Sequence, residues 1–164
     1  MNQRMLARWL KTVAVLVCAI FAAFFFYMVP RFVTNTDRAM LFGFVPSSPE
    51  MATAFLIAVE CSVIPCFATV MHFFRIASNI GRDQSFCMEN ARRLMKISRW
   101  TLVDIAWCAL ITVVFAVLDT IHLRLIGIAL GIMLVGSAFA GVVSVLSHLA
   151  EKAARLKEEN DLTV

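Results

Sequence analysis

Charged residues are scarce in this sequence, and recognisable catalytic motifs are absent. Charged side chains make up 16% of the 164 residues and apolar side chains 61%, whereas soluble domains carry about 25% charged and about 45–50% apolar residues. The scarcity of charge therefore excludes an ordinary soluble domain and is typical of a membrane protein. The net charge of +4 comes from cations between the apolar runs, where membrane topology requires them, so we predict no direct nucleic-acid partner.

Cysteine pairs and metal-binding patterns are also missing. The five cysteines stand at positions 18, 61, 66, 87 and 108, an odd number without a CxxC or Cys/His cluster. This spacing argues against a disulfide framework and a zinc site, so we expect buried structural cysteines. Serine–histidine arrangements and Gly-rich phosphate loops are absent too. We therefore predict that the protein is not an enzyme and holds no metal or cofactor.

Four apolar runs predict an all-α membrane protein with four transmembrane helices. The first has 18 uncharged residues from Thr12 to Val29, close to the length that crosses the hydrocarbon core. No small-x-small cleavage site follows it, so we interpret it as a retained helix and not as a signal peptide. The predicted spans cover approximately residues 10–29, 51–74, 101–118 and 124–147.

The connections between the spans have distinct compositions. Residues 30–50 contain three prolines and are predicted to lie along the outer membrane interface. Within the second span, Pro65 lacks a backbone donor and predicts a kink near Cys61. The charged tail, residues 148–164, is predicted to continue the fourth helix into the cytoplasm.

The third span is the weakest of the four, and the fourth is the longest. Only 14 residues, Ile105 to Leu118, are free of charge in the third run. The 23 uncharged residues from Leu125 to Ser147 are long enough to cross the membrane. A cytoplasmic tail then requires one more crossing in the opposite direction before this span, and the third run provides it.

Small residues form a stripe on one narrow face of the fourth span. The stripe includes Gly127, Gly131 and Gly141, and small residues let helix backbones approach closely in lipid. We predict that these glycines pack within the monomer, with a homo-oligomer interface as the alternative.

The distribution of lysine and arginine predicts the orientation. Twelve of them lie in the N-terminal segment, the 75–100 loop and the tail, and three lie in the other two connections. Because cations accumulate on the cytoplasmic side, we predict that both termini are cytoplasmic.

Glu60 is the candidate intramembrane site. It lies nine residues into the second run, near the bilayer midplane. An unpaired carboxylate at this depth costs several kcal/mol of free energy, so an acidic residue there is a candidate for a functional site. The alternatives are a proton or cation site and a protonated or hydrogen-bonded packing residue. Asp104 and His72 are expected near the cytoplasmic boundary as interfacial anchors.

The loop of residues 75–100 predicts a cytoplasmic amphipathic helix between spans two and three. Asp83 or Ser85 provides a cap, and the helix runs over residues 86–100. It either lies on the inner membrane face or docks a cytoplasmic protein. The candidate interaction surface consists of Phe86, Asn90, Arg92, Arg93, Leu94 and Lys96.

The segment GRDQSFCMENARRLMKI and the ending LKEENDLTV, together with the four spans, resemble the YoaS-like family of bacterial four-span membrane proteins, a domain of unknown function. The resemblance is specific at residues 86–97 and 156–164. It implies a bacterial cytoplasmic (inner) membrane. Genes for helix-turn-helix regulators often lie beside those of such relatives, so it also implies a transcription regulator as partner.

The sequence therefore predicts a multi-pass protein of the lipid bilayer with a non-enzymatic regulatory or interaction role. Its cytoplasmic loop and tail would contact a cytoplasmic partner such as a helix-turn-helix regulator. The alternative is a small proton- or cation-coupled transporter that uses Glu60.

Overall fold

The structure is a computed structural model and describes residues 3–82 and 87–162. These residues form seven α-helices and one π-helical segment, in this order: α1 Gln3–Ala23, the π segment Phe24–Met28, α2 Val29–Thr34, α3 Thr36–Leu41, α4 Pro49–Glu60, α5 Val63–Ile80, α6 Met88–Val117 and α7 Leu123–Leu162. Extended pairing in the described part is limited to one isolated bridge between Phe44 and Ile121.

Four helical stretches are long and apolar enough to cross a membrane, and we call them spans 1 to 4. They cover Met5–Thr34, Pro49–Ile80, Met88–Val117 and Leu123–Asn160. The predicted class, an all-α protein with four transmembrane helices, is therefore confirmed. Each span is longer than predicted, because every helix extends beyond its apolar run.

The spans run alternately up and down, so the bundle has two different ends. The basic end carries the start of α1, the end of α5, the start of α6 and the end of α7. The opposite end, which we call the capped end, carries residues 35–48 and 118–122. Span 1 packs against span 2, span 2 against span 3, and span 3 against span 4. No contact of similar extent joins α1 to α7 within the described residues.

Proline interrupts span 1 close to the capped end. Pro30 has no N–H to donate to the carbonyl of Phe26, and the turn before it widens into the π segment, where the N–H of Val29 bonds the carbonyl of Phe24. The helix then continues to Thr34, so part of the segment predicted as the first loop is helical.

Proline also interrupts span 2, near the predicted position. Pro65 cannot donate to the carbonyl of Cys61, which instead accepts from the N–H of Ile64 at 3.3 Å. α4 ends at Glu60 and α5 begins at Val63. The predicted kink near Cys61 is confirmed as a break at residues 61–62.

An apolar cluster closes the capped end. Phe44 is 0% exposed, and its ring lies 4.6 Å from that of Phe55, which in turn lies 5.0 Å from that of Phe115. The N–H of Val45 donates to the carbonyl of Thr120 at 2.8 Å, which ties the two connections together. Part of the predicted interfacial loop is therefore buried core.

The predicted amphipathic helix over residues 86–100 is not a separate element. From Met88 onward this segment is the first half of α6, one uninterrupted helix of 30 residues. The N-cap of α6 is Cys87, without a side-chain cap hydrogen bond, while the predicted caps Asp83 and Ser85 lie outside the described residues. At about 1.5 Å per residue, α6 is about 45 Å long, about 15 Å more than a hydrocarbon core. The excess at the basic end carries the cations.

The contact face of α7 differs from the predicted one. A Cβ at Gly136 would lie 3.2 Å from the side chain of Ile105, whereas Cβ atoms at Gly127, Gly131 and Gly141 would meet nothing within 4 Å. Ala140, Val143 and Ser147 continue the buried seam. The prediction that the three glycines pack within the monomer is therefore wrong, because the seam that faces α6 begins at Gly136, on another side of the helix.

Candidate functional site

A cavity of about 540 Å³ lies among the four spans. Spans 2 and 3 form its back wall, and spans 1 and 4, which do not pack extensively on each other, form its sides. Its volume falls in the range of about 300–1,000 Å³ that is typical of small-molecule sites. Seven aromatic side chains line it: Phe21, Phe24, Phe25, Phe32, Phe55, Trp100 and Phe139.

The polar lining of the cavity is concentrated on spans 2 and 3. It comprises hydroxyl, thiol and carboxyl groups: Ser62, Cys66, Thr69, Thr101, Asp104, Cys108 and Thr112. Among the described residues of the lining, Asp104 is the one acidic residue, and none is a lysine, arginine or histidine. The cavity is therefore an apolar space with a single carboxyl group on its wall.

The carboxyl group of Asp104 is only partly satisfied. Its Oδ2 accepts a weak hydrogen bond from the Cys66 thiol at 3.8 Å, and the Ser62 hydroxyl adjoins the same group. Its Oδ1 is shielded from solvent and has no hydrogen-bond partner among the described residues. An acceptor left this way in an apolar interior costs about 1–3 kcal/mol, and more if the group is charged.

The break in span 2 brings Ser62 and Cys66 to Asp104. In the broken turn the N–H of Ser62 donates to the carbonyl of Val59 at 3.1 Å, so the carbonyl of Ala58 loses its usual partner. The indole N–H of Trp107, three residues after Asp104 on α6, donates to that carbonyl at 2.9 Å. This bond fixes the register between the two spans at the level of the carboxyl group.

Asp104 lies on the wall of the cavity among the spans. It is 13 residues from Val117, about 20 Å from the capped end of α6 along the helix axis. The predicted role of Asp104 as an interfacial anchor stays a prediction. His72 lies six residues beyond Cys66 on α5, about 9 Å toward the basic end, so its predicted interfacial position stays a prediction.

Glu60 does not line the cavity. It is half-buried at the end of α4, and its Oε1 is shielded from solvent with no hydrogen-bond partner in the described part of the chain. Whether Glu60 is functional stays a prediction. Its position separates it from the carboxyl group that faces the cavity.

The predicted interaction surface on α6 divides between an exposed and a buried side. Arg92 and Lys96 are exposed, and Arg99 extends them into a stripe that we call the basic stripe. Asn90 is only 3% exposed and accepts from the side-chain amide of Asn79 at 2.9 Å. The prediction that Asn90 contacts a partner is therefore wrong, because it joins spans 2 and 3.

The other predicted surface residues are not equivalent to the basic stripe. Arg93 forms a salt bridge with Glu89, and its side chain is only 16% exposed. Leu94 is half-buried, and Phe86 lies outside the described residues. Among the described residues, the accessible part of the predicted surface thus consists of cations.

Sequence reasoning missed Asp104 and the cavity. When only charge is considered, the carboxylate of Asp104 and the short uncharged run after it indicate that the span begins at that residue. A usable signal is the period of span 3, because Asp104 and Cys108 lie one turn apart on the same face. The cavity itself depends on the gap between spans 1 and 4, which no local pattern encodes.

The fold and the cavity define a multi-pass membrane protein with a mostly apolar cavity among its spans. The chain belongs to the DUF2975 family, described as proteins of unknown function, whose family model matches residues 43–164. None of the curated proteins and solved structures compared with the chain matches it. The resemblance to YoaS-like proteins stays a prediction.

Proposed function

We propose that this protein is a non-enzymatic regulatory protein of a bacterial cytoplasmic membrane, with both termini in the cytoplasm. Its basic end would bind a cytoplasmic partner, for which a helix-turn-helix transcription regulator is the candidate. A single observation supports the proposal: α6 and α7, which are 30 and 40 residues long, pack against each other from the capped end to a basic surface.

Two cross-helix hydrogen bonds support this pair. The Ser98 hydroxyl donates to the carbonyl of Ala140 at 2.9 Å, and the Ser147 hydroxyl donates to the carbonyl of Ala91 at 2.8 Å. All four residues are buried, and buried hydrogen bonds in lipid hold helices in register. A displacement of one helix inside the membrane would therefore reach the basic end through the other.

We place the surface of the basic end outside the hydrocarbon core. Ser147 lies level with Ala91, and α7 continues for 15 more residues to Leu162, about 22 Å. Residues 155–160 are exposed on every side of this helix. These residues carry two cations and two carboxylates, so they supply an accessible helix, and the net positive charge that an acidic partner surface would complement comes from the basic stripe.

Co-purification from native membranes in mild detergent tests the proposal. The test variant is Arg92→Gln with Lys96→Gln, and the control is Arg75→Gln with Arg82→Gln, two exposed cations on α5 and just after it. We expect one soluble protein to be retained by the wild type and the control and lost with the test variant. If no soluble protein distinguishes the wild type from the test variant, the proposal fails.

A small proton- or cation-coupled transporter is the second candidate. The intramembrane cavity favours it, and the carboxyl group on the cavity wall is Asp104 and not the predicted Glu60. Proteoliposomes with a pH-sensitive dye inside and an imposed membrane potential test it. Transport requires a flux above that of empty liposomes that is lost in Asp104→Asn and kept in Glu60→Gln. A flux equal to that of empty liposomes rejects it.

A further inference from the structure

We infer that the cavity is a binding site for a lipophilic monocation, a small molecule with an apolar body and one positive group, whose charge pairs with the carboxylate of Asp104. The inference concerns binding alone, so it does not depend on whether the protein is a regulator or a carrier.

The size and lining of the cavity specify the body of the ligand. A volume of about 540 Å³ accommodates a drug-sized molecule. Aromatic rings from all four spans face this space, among them Phe24, Phe25, Phe55 and Trp100. Such walls bury an apolar or aromatic body favourably, and ring faces also attract a cation at about 6 Å or less.

The unpaired carboxyl oxygen specifies the charge of the ligand. Oδ1 of Asp104 is shielded from solvent and has no hydrogen-bond partner within the described residues, and its second oxygen accepts the weak thiol bond from Cys66, with the Ser62 hydroxyl beside the same group. A carboxylate in an apolar interior needs a counter-charge or a proton. The described lining carries no lysine, arginine or histidine, so the carboxylate has no cationic side chain to pair with in the cavity, and a monocationic occupant would supply the counter-charge.

The depth of Asp104 separates a free ligand from a membrane lipid. Asp104 lies about 20 Å along α6 from Val117, a distance shorter than the thickness of a hydrocarbon core, about 30 Å. The ammonium group of a zwitterionic phospholipid carries a phosphate with it and stays at the interface, so it does not reach this depth without burying a second charge. A lipophilic cation brings one charge only, and the carboxylate neutralises it.

Two ions of the same shape and opposite charge test the inference on the wild-type protein. Tetraphenylphosphonium and tetraphenylborate differ in the sign of their charge, and equilibrium dialysis measures their binding to protein in a nonionic detergent, with empty micelles as the blank. We expect the phosphonium ion to bind at least about tenfold more tightly than the borate ion. Equal binding of the two ions, or binding of neither because a lipid fills the cavity, would overturn the inference.

Two conservative variants locate the site. Asp104→Asn removes the charge at the cavity, and Glu60→Gln makes the same change at an intramembrane acid that does not line it. We expect the affinity for tetraphenylphosphonium to fall at least about tenfold in Asp104→Asn and to stay unchanged in Glu60→Gln. Undiminished binding to Asp104→Asn, or an equal loss in Glu60→Gln, contradicts a site at Asp104. If Asp104→Asn fails to fold, the comparison of the two ions on the wild type still decides.

Discussion

Pro65 and Trp107 lie on different spans, yet both act on the same turn of backbone. Pro65 removes one donor from span 2, and the broken turn that results frees the carbonyl of Ala58. The indole of Trp107 bonds that carbonyl at 2.9 Å, which an apolar side chain cannot do. At the scale of residues, the break is therefore stabilised from the neighbouring span, and it orients Ser62 and Cys66 toward Asp104.

Replacement of Trp107 by phenylalanine tests this bond. In Trp107→Phe the carbonyl of Ala58 loses its donor, and we expect the free energy of unfolding to fall by about 1–3 kcal/mol, measured by denaturant unfolding in detergent. Trp9→Phe is the matched control, because Trp9 is 69% exposed. Equal stability of the two variants would show that the indole contributes nothing to the break.

The candidate site could be predicted only in part at this scale. Pro65 predicts the kink, since its missing donor is a local property of the chain. Asp104 is different, because its depth depends on how far α6 continues on either side and on what faces it. A count of charges places the carboxylate at a boundary, whereas the contacts with Ser62 and Cys66 place it within the bundle.

At the scale of helices, α7 shows why a small-residue pattern does not identify its own partner. Small residues follow more than one face of this helix: Gly127 and Gly131 stand on an exposed face, while Gly136 and Ala140 stand on the buried seam. Either set permits close packing. The face of α7 that packs in the bundle is determined by its contacts with α6, where Ile105 lies against Gly136.

Valine substitutions distinguish the two faces of α7. A Cβ at Gly136 would lie 3.2 Å from Ile105, and one at Gly131 would meet nothing within 4 Å. We expect Gly136→Val to lower the free energy of unfolding by about 1–3 kcal/mol through overpacking, and Gly131→Val to leave it unchanged in monomeric protein. Thermal unfolding in detergent measures both. A larger loss of stability in Gly131→Val would mean that the exposed glycines face a second copy of the chain.

On the scale of the whole molecule, helix length and charge agree. Spans 3 and 4 are longer than a hydrocarbon core, with 30 residues in α6 and 40 in α7, and their excess carries cations at one end. The number and type of the spans could be predicted because long uncharged runs are a direct consequence of the apolar solvent. The cavity could not be predicted from the sequence, because it is the space left between spans 1 and 4, which do not pack extensively on each other.

The predicted orientation requires the basic end to be cytoplasmic. A green fluorescent protein fused after Val164 should fluoresce, because it folds in the cytoplasm, and alkaline phosphatase fused after His122 should be active, because that site lies outside. Whole-cell fluorescence and phosphatase activity measure the two fusions. The reverse pattern would invert the bundle and remove the basic end from any cytoplasmic partner.

Site-specific photo-cross-linking in living cells tests the proposed role of the basic end most directly. A photoreactive amino acid replaces Lys96 on the basic stripe in one variant and Val113, an exposed apolar residue of the same helix, in the other. The proposal predicts a cross-link to a soluble protein at position 96 and only lipid adducts at position 113. Lipid adducts alone at both positions would contradict a protein-binding surface at the end of spans 3 and 4.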